Sequence, residues 1–171
     1  MFLPSLQGKK LWPKRTGFAL AFVMLAPQTI AQRADSGPFA GLNGHWSGSG
    51  SATLANGSTE RIHCRANYSA NAGGISLSQQ LRCASDSYRL EISANVVSTG
   101  GSLSGSWSEA THGQSGSISG HAAGGVIGAQ AAGGGFSAGI GIRTQGNSQS
   151  VTITPSSGTE VRSVTITLHR G

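Results

Sequence analysis

The stretch that decides the fold spans residues 60–84 and reads ERIHCRANYSANAGGISLSQQLRCA. It carries both cysteines of the chain, and Gly73-Gly74 separates two segments in which apolar and polar residues alternate. A Gly-Gly pair between alternating segments is typical of a two-residue hairpin turn, because glycine adopts positive φ at little steric cost. The sequence therefore predicts an antiparallel hairpin that folds back at Gly73-Gly74.

This hairpin predicts one register. If Ala72 faces Ile75, then Cys64 lies directly opposite Cys83, within the distance that a disulfide bridges. A disulfide there closes a loop of about 20 residues, which adds roughly 3 kcal/mol of stability in the chain-entropy model. Two free thiols are the alternative. The predicted inward face contains Ile62, Cys64, Ala66, Tyr68, Ile75, Leu77, Leu81 and Cys83.

Residues 1–31 predict a secretory signal peptide. Four basic residues between positions 9 and 15 precede an apolar run over residues 17–26, which is too short to span a bilayer, and small residues follow at positions 29 and 31. We expect cleavage after Ala31 and an exported protein, periplasmic or secreted, without a transmembrane segment; a retained anchor is the alternative. An oxidising compartment agrees with a disulfide.

Removal of the signal peptide changes the charge of the chain. The full sequence carries a net charge of +6, but residues 32–171 hold eight arginines, no lysine and six acids, which leaves about +2. The basic precursor therefore does not predict a nucleic-acid partner, and none is expected. No oligomeric state is predicted.

The rest of the mature chain predicts an all-β fold. We expect a leader over residues 32–42, with Phe39 packing on the domain, and one domain over residues 43–171. Alternating segments separated by turn residues predict eight to ten short antiparallel strands in an up-and-down meander. Closure of such a meander removes both sheet edges, so a closed or partly open barrel is favoured over a sandwich. The outward positions are Ser, Thr, Asn, Gln and Arg rather than the apolar band of a membrane barrel.

Turn residues also predict local registers. Apolar pairing across Asn56-Gly57 favours a three-residue loop with Gly57 left-handed. A tight turn at Ser85-Asp86 would begin a fourth strand over residues 88–97 and place Leu81 opposite Leu90. The same reasoning places Trp107 opposite Ile92 and Gly116 opposite Trp107, where a glycine could receive the indole.

The first and last predicted strands carry a further pattern. Gly44-His45-Trp46 resembles the Gly-x-Trp opening of lipocalin and other calycin barrels, and Arg170 lies on the last strand. The resemblance implies a barrel in which a basic residue of the last strand lies across the tryptophan, which is the role expected of Arg170. The chain also looks like small exported bacterial proteins, a likeness that implies no activity.

Small barrels are either filled by side chains or enclose one ligand. Because many inward positions are Gly or Ala, we expect space inside for a small apolar or amphipathic ligand and a non-enzymatic binding function. An inhibitor of exported proteases that inserts residues 33–42 as an arm is the alternative. The side chains predicted to line the pocket are Trp46, Tyr68, Tyr88, Leu90, Ile92, Trp107, Phe136 and Ile140.

Catalytic and metal sites are not expected. The five histidines have no spacing typical of a metal-ligand pair. Glu60, Asp86, Glu91 and Glu109 could supply two carboxylates for glycoside chemistry, but they are interpreted as surface acids that balance arginines. The sequence therefore predicts no catalytic residue, no metal and no cofactor.

One charged pattern follows from the predicted registers. Arg65, Arg82 and Arg89 would lie directly opposite one another across three strands, and opposed like charges are destabilising. Such a row favours a compensating anion, either Glu91 on the diagonal or an external phosphate, sulfate or carboxylate. The sequence therefore predicts an anion patch at these three arginines.

Overall fold

The computed structural model describes residues 36–157 and 159–171. The predicted signal peptide and the first residues of the leader lie outside the described residues. Within them, no helix is long and apolar enough to cross a membrane. The described residues form ten strands: β1 (Gly44–Leu54), β2 (Thr59–Ala70), β3 (Ser76–Ala84), β4 (Arg89–Thr99), β5 (Ser102–Glu109), β6 (Gln114–Ala123), β7 (Val126–Gly133), β8 (Phe136–Gln145), β9 (Ser148–Ser157) and β10 (Val161–Arg170).

The strands form a closed antiparallel barrel. Each strand pairs with its neighbours in the chain, and β1 also pairs with β10, from Trp46 opposite Arg170 to Leu54 opposite Val161. The predicted all-β meander is confirmed, and it matches a calycin-like barrel. Closure leaves no unpaired sheet edge.

The hairpin register is confirmed. Cys64 lies opposite Cys83 and forms a disulfide with it, with the Cα atoms 4.2 Å apart. Ala66 pairs with Leu81 in the same ladder. Buried and exposed residues alternate along β2, as expected for a strand with one face on the core.

The turn of this hairpin differs from the prediction. The connection spans residues 71–75, and only Gly74 has a positive φ, of 65°. The Asn71 side chain organises the turn, because its Oδ1 accepts hydrogen bonds from the backbone N–H groups of Ile75 and Ser76 at 2.9 and 3.1 Å. Ile75 is 48% exposed rather than inward. The three-residue loop at Gly57 is confirmed, with a φ of 86°.

The predicted registers on both sides of β4 are wrong by two residues. Leu81 lies opposite Ile92 rather than Leu90, because Ser85 pairs with Tyr88 and the turn is centred one residue later than expected. Trp107 lies opposite Ala94 rather than Ile92. A shift of two keeps the side chains of β4 and β5 on their predicted faces.

The two ends of the barrel differ. The turns at 71–75, 100–101, 124–125 and 146–147 lie at one end, together with residues 36–43, and we call this the capped end. Phe39 and Leu42 of that segment belong to the hydrophobic core. The turns at 55–58, 85–88, 110–113 and 134–135 lie at the other end, which we call the mouth.

Candidate functional site

The capped end is filled by tightly buried side chains. Phe39, Trp46 and Leu168 each expose 1% of their surface, and Leu42 exposes 4%. Trp46 Nε1 donates a hydrogen bond to the Leu42 carbonyl oxygen at 2.9 Å. Residues 36–43, before β1, therefore contribute Phe39 and Leu42 to the barrel core, as expected for Phe39.

Arg170 closes this end from the last strand. Its guanidinium carbon lies 4.8 Å from the centre of the Trp46 ring, within cation–π range, and it donates a hydrogen bond to the Gly41 carbonyl oxygen. Gly44 has a φ of 117°, which only glycine adopts readily, and leads the chain into β1. The predicted placement of Arg170 across Trp46 is confirmed.

A chain of polar side chains crosses the core at the capped end. Tyr68 Oη donates to Gln149 Oε1 at 2.8 Å, and Gln149 Nε2 donates to Thr144 Oγ1 at 3.0 Å. Burial raises the pKa of Tyr68 far above its usual value and outweighs the opposing effect of the Gln149 bond, so Tyr68 stays a neutral donor. These bonds join β2, β8 and β9 inside the barrel.

Inward apolar side chains near the mouth are less enclosed than those of the capped end. Six of them are only partly buried, although strand alternation directs them into the barrel, whereas Ile62 and Trp107 at the same end are buried. Partly exposed apolar side chains at the open end of a small barrel are typical of a ligand entrance. They are Leu54, Leu90, Ile92, Ile153, Val161 and Val164.

A second apolar cluster lies beside the mouth. It is formed by Trp107 with Ala94, Ile118 and Ala131, and Phe136 packs edge-to-face on the Trp107 ring with 5.6 Å between ring centres. Trp107 is 7% exposed, and its Nε1 has no hydrogen-bond acceptor among the described residues. A buried N–H without an acceptor costs about 1–3 kcal/mol.

One carboxylate is buried at the mouth. Glu109 is 6% exposed and accepts hydrogen bonds from the backbone N–H groups of Thr111 and His112 at 2.7 and 2.6 Å and from His112 Nδ1 at 2.9 Å. Burial raises its pKa, but these hydrogen bonds outweigh burial and lower it to about 2. Glu109 is therefore ionised at neutral pH and holds the 110–113 turn, which corrects its interpretation as a surface acid.

Tyr88 and His112 cover the rim beside Glu109. The two rings stack with centres 5.6 Å apart, and Tyr88 is 48% exposed. Burial and the negative charge of Glu109 raise the pKa of Tyr88. Tyr88 precedes β4 and lies on the rim rather than inside, because the 85–88 turn is centred later than predicted.

Glu60 is the second carboxylate at the mouth. It accepts hydrogen bonds from Ser87 Oγ at 2.6 Å and from Ser85 Oγ at 2.7 Å. Both bonds lower the pKa of Glu60, and the bond from Ser87 has the larger effect. The mouth therefore combines apolar side chains with two carboxylates that are ionised at neutral pH.

The side chains predicted to line one pocket are divided between two clusters. Trp46 and Tyr68 lie at the capped end, whereas Trp107 belongs to the second cluster. Of the eight predicted pocket residues, Tyr88 alone lies on the rim and does not point inward. The four that remain are partly buried and point into the barrel: Leu90, Ile92, Phe136 and Ile140.

Inward glycines lie where a side chain would collide with the backbone of the neighbouring strand, and the expectation that they leave space for a ligand stays a prediction. A Cβ at Gly116 would overlap the carbonyl oxygen of Ala132 on β7, and a Cβ at Gly48 would overlap that of Thr167 on β10. Glycine at these positions lets neighbouring backbones approach closely, as strongly curved barrel walls require. Gly116 does lie opposite Trp107, but close contact with β7 explains it rather than room for the indole.

The predicted row of three arginines is wrong. Arg65 lies opposite Arg82, but Arg82 lies opposite Glu91, and Arg89 lies opposite Ala84. Arg82 Nε and Glu91 Oε1 are 3.5 Å apart in an exposed salt bridge. The compensating anion of the Arg65–Arg82 pair is therefore Glu91, directly opposite rather than diagonal.

A shallow trough of about 720 Å³ crosses the outer wall of the barrel. Its floor includes Gly128, Gly139 and Gly141, and its sides carry Ser, Thr and Gln side chains together with His121. Small-molecule sites usually bury most of their ligand. The apolar mouth is therefore the better candidate site.

Comparisons with family models and with curated sequences identify no relative. The chain matches no model of a known protein family, and no curated protein sequence is significantly similar to it. Residues 36–157 and 159–171 contain no group of three His, Cys, Asp or Glu side chains that could hold a metal ion. The geometry of the barrel is thus the basis for a functional proposal.

Proposed function

We propose that the protein is a non-enzymatic, lipocalin-like binding module of an exported compartment, and that its mouth takes a small amphipathic ligand. The observation that carries the proposal is the unequal burial of the core. Phe39, Trp46 and Leu168 at the capped end are almost fully buried, whereas Leu90, Ile92 and Val164 at the mouth stay partly exposed. An apolar chain bound there would remove this surface from water, which is worth about 25 cal/mol per Å².

Trp107 favours an amphipathic over a purely apolar ligand. Its buried Nε1 donor lacks an acceptor in the described part of the chain. A bound alcohol, ester or amide that displaced the side chains covering this donor would accept the hydrogen bond through its oxygen atom and remove the cost of leaving it unmade.

The mouth carboxylates favour a neutral ligand over an anionic one. Glu60 and Glu109 both have lowered pKa values and are ionised at neutral pH. Their charges would repel a fatty acid carboxylate that entered the same end, since like charges in a partly desolvated site disfavour each other. We expect a long-chain alcohol to bind more tightly than the fatty acid of the same length.

Titration calorimetry with dodecanol and dodecanoic acid tests this proposal. Replacement of Ile92, at the mouth, by Gln should weaken dodecanol binding about tenfold or more, because a buried isoleucine contributes roughly 1.5–3 kcal/mol. Val97→Gln is the matched control, because Val97 is 46% exposed on the outer face of the same strand. Equal urea midpoints would show that both variants fold.

Two results would contradict the proposal. One is the absence of binding heat and of any tryptophan fluorescence change with either compound. The other is equal loss of binding in Ile92→Gln and Val97→Gln. The inhibitor alternative has no supporting contact, because Phe39 and Leu42 of its proposed arm are buried in the barrel itself.

A further inference from the structure

The outer wall of β2, β3 and β4 carries a concentration of basic side chains. Within the described residues, Glu91 is the one acid at the outward positions of these strands. This wall therefore carries four of the chain's arginines, one histidine and a single acid. The basic side chains, all exposed, are Arg61, His63, Arg65, Arg82 and Arg89.

The strand pairing arranges three of these side chains around an alanine. His63 lies directly opposite Ala84 on one side, and Arg89 lies directly opposite it on the other. Arg82 precedes Ala84 by two residues on the same face of β3. Opposed Cβ atoms are about 4.5–5.5 Å apart and residues two apart in a strand about 6.8 Å, so the three side chains surround one short one.

The charges on this wall are only partly compensated. Glu91 pairs with Arg82, but both side chains are more than half exposed, and such exposed pairs are weak. Arg89 forms no salt bridge within the described part of the chain, and neither does Asp86 in the adjacent 85–88 turn. Arg82 and Arg89 thus retain guanidinium donors that can bind an external anion.

We propose that Ala84 forms the floor of a site for one tetrahedral oxyanion, a phosphate or sulfate ester group. Arg82 and Arg89 would bind its oxygens through their guanidinium forks, and His63 would donate from the third side. A longer side chain at position 84 would occupy the position of the anion. This site lies on the outer wall and does not depend on the ligand proposed for the mouth.

Titration with inorganic phosphate at constant ionic strength tests the site. Ala84→Leu keeps every charge and fills the floor, so it should weaken phosphate binding about tenfold, as loss of charged hydrogen bonds does. The double variant Arg82→Gln/Arg89→Gln should weaken it at least as much. The matched control is Arg143→Gln/Arg162→Gln, which removes two exposed arginines from β8 and β10 and should bind phosphate as the parent does.

The outcomes separate a defined site from general attraction. Parent-like phosphate binding by Ala84→Leu, or equal weakening in the Arg143/Arg162 control, would overturn the proposal. Sedimentation with vesicles that contain phosphatidylglycerol identifies the source: binding by the parent but not by Ala84→Leu assigns the site to lipid phosphates. Phosphate binding without vesicle binding assigns the site to soluble esters. The absence of both phosphate binding and vesicle binding overturns the proposal.

Discussion

The capped end and the mouth are built from the same alternating strands but differ in how completely they enclose their side chains. Leu168 at the capped end is 1% exposed, whereas Leu90 at the mouth is only partly buried. Strand alternation decides which face a residue occupies. The exposed fraction of an inward residue then depends on whether other residues cover its end of the barrel. Residues 36–43 cover the capped end.

The buried polar groups of the two ends also differ. At the capped end, Gln149 bonds to Tyr68, a residue 81 positions away in the chain. At the mouth, Glu109 bonds to Thr111 and His112 within its own turn. The first arrangement ties distant strands together, while the second shapes a local turn, so we expect the capped end to be the more stable region.

Replacement of one leucine at each end gives the largest expected difference. Leu168→Ala removes side-chain atoms from a fully enclosed position and should lower the free energy of unfolding by about 2–5 kcal/mol. Leu90→Ala removes the same atoms from a partly exposed position and should lower it by about half as much or less. Urea unfolding of the two variants and the parent measures both effects.

The comparison of the two ends depends on the ratio of the losses in unfolding free energy caused by Leu168→Ala and Leu90→Ala. If Leu90→Ala destabilises the protein as much as Leu168→Ala, the mouth is as tightly packed as the capped end. The proposal of a ligand entrance would then lose its main support. An unchanged dependence of unfolding free energy on urea concentration is needed for the comparison, since it shows that both variants expose the same surface.

Much of the fold could be predicted because the deciding signals are local. Alternation along Ile62, Cys64, Ala66 and Tyr68 predicts both the strand and its inward face, and the cysteines predict the pairing with β3. The registers around β4 could not be predicted as well, because they depend on which residues form each turn. At 85–88, Ser85 pairs with Tyr88, a choice made by local hydrogen bonds.

The candidate site was less predictable for the same reason. A shift of two residues places Glu91 rather than Arg89 opposite Arg82, which replaces a predicted repulsion by a salt bridge. The burial of Glu109 and Gln149 had a signal in the sequence, since each alternates in phase with inward neighbours such as Trp107 and Val151. Because Glu109 is charged, the prediction treats it as a surface acid despite this signal.

The buried carboxylate of the mouth predicts a pH-dependent contribution to stability. The pKa of Glu109 is lowered from 4.5 to about 2 in the folded protein. Because the folded pKa lies below the unfolded one, the contribution is complete above about pH 4.5 and is lost as the pH falls toward 2. Glu109→Gln should therefore destabilise the protein by about 2 kcal/mol at neutral pH, with a difference from the parent that narrows below pH 4.5.

Urea unfolding over this pH range measures the effect. Glu160→Gln, at an exposed position immediately before β10, controls for the loss of one negative charge. A difference between Glu109→Gln and the parent that stays constant down to pH 2 would show that the hydrogen bonds from Thr111 and His112 do not favour the ionised form.

The polar chain of the capped end predicts the smallest effect. Tyr68→Phe removes the donor to Gln149 Oε1 and leaves that oxygen buried, because Gln149 is 1% exposed. The free energy of unfolding should fall by about 1–3 kcal/mol, closer to the lower value because the bond from Gln149 to Thr144 remains. The double variant Tyr68→Phe/Gln149→Leu removes both partners and should be less destabilised than the sum of the single variants. If the two single effects add, Tyr68 and Gln149 act independently, and the capped end owes its stability to apolar packing around Trp46 rather than to a bond between distant strands.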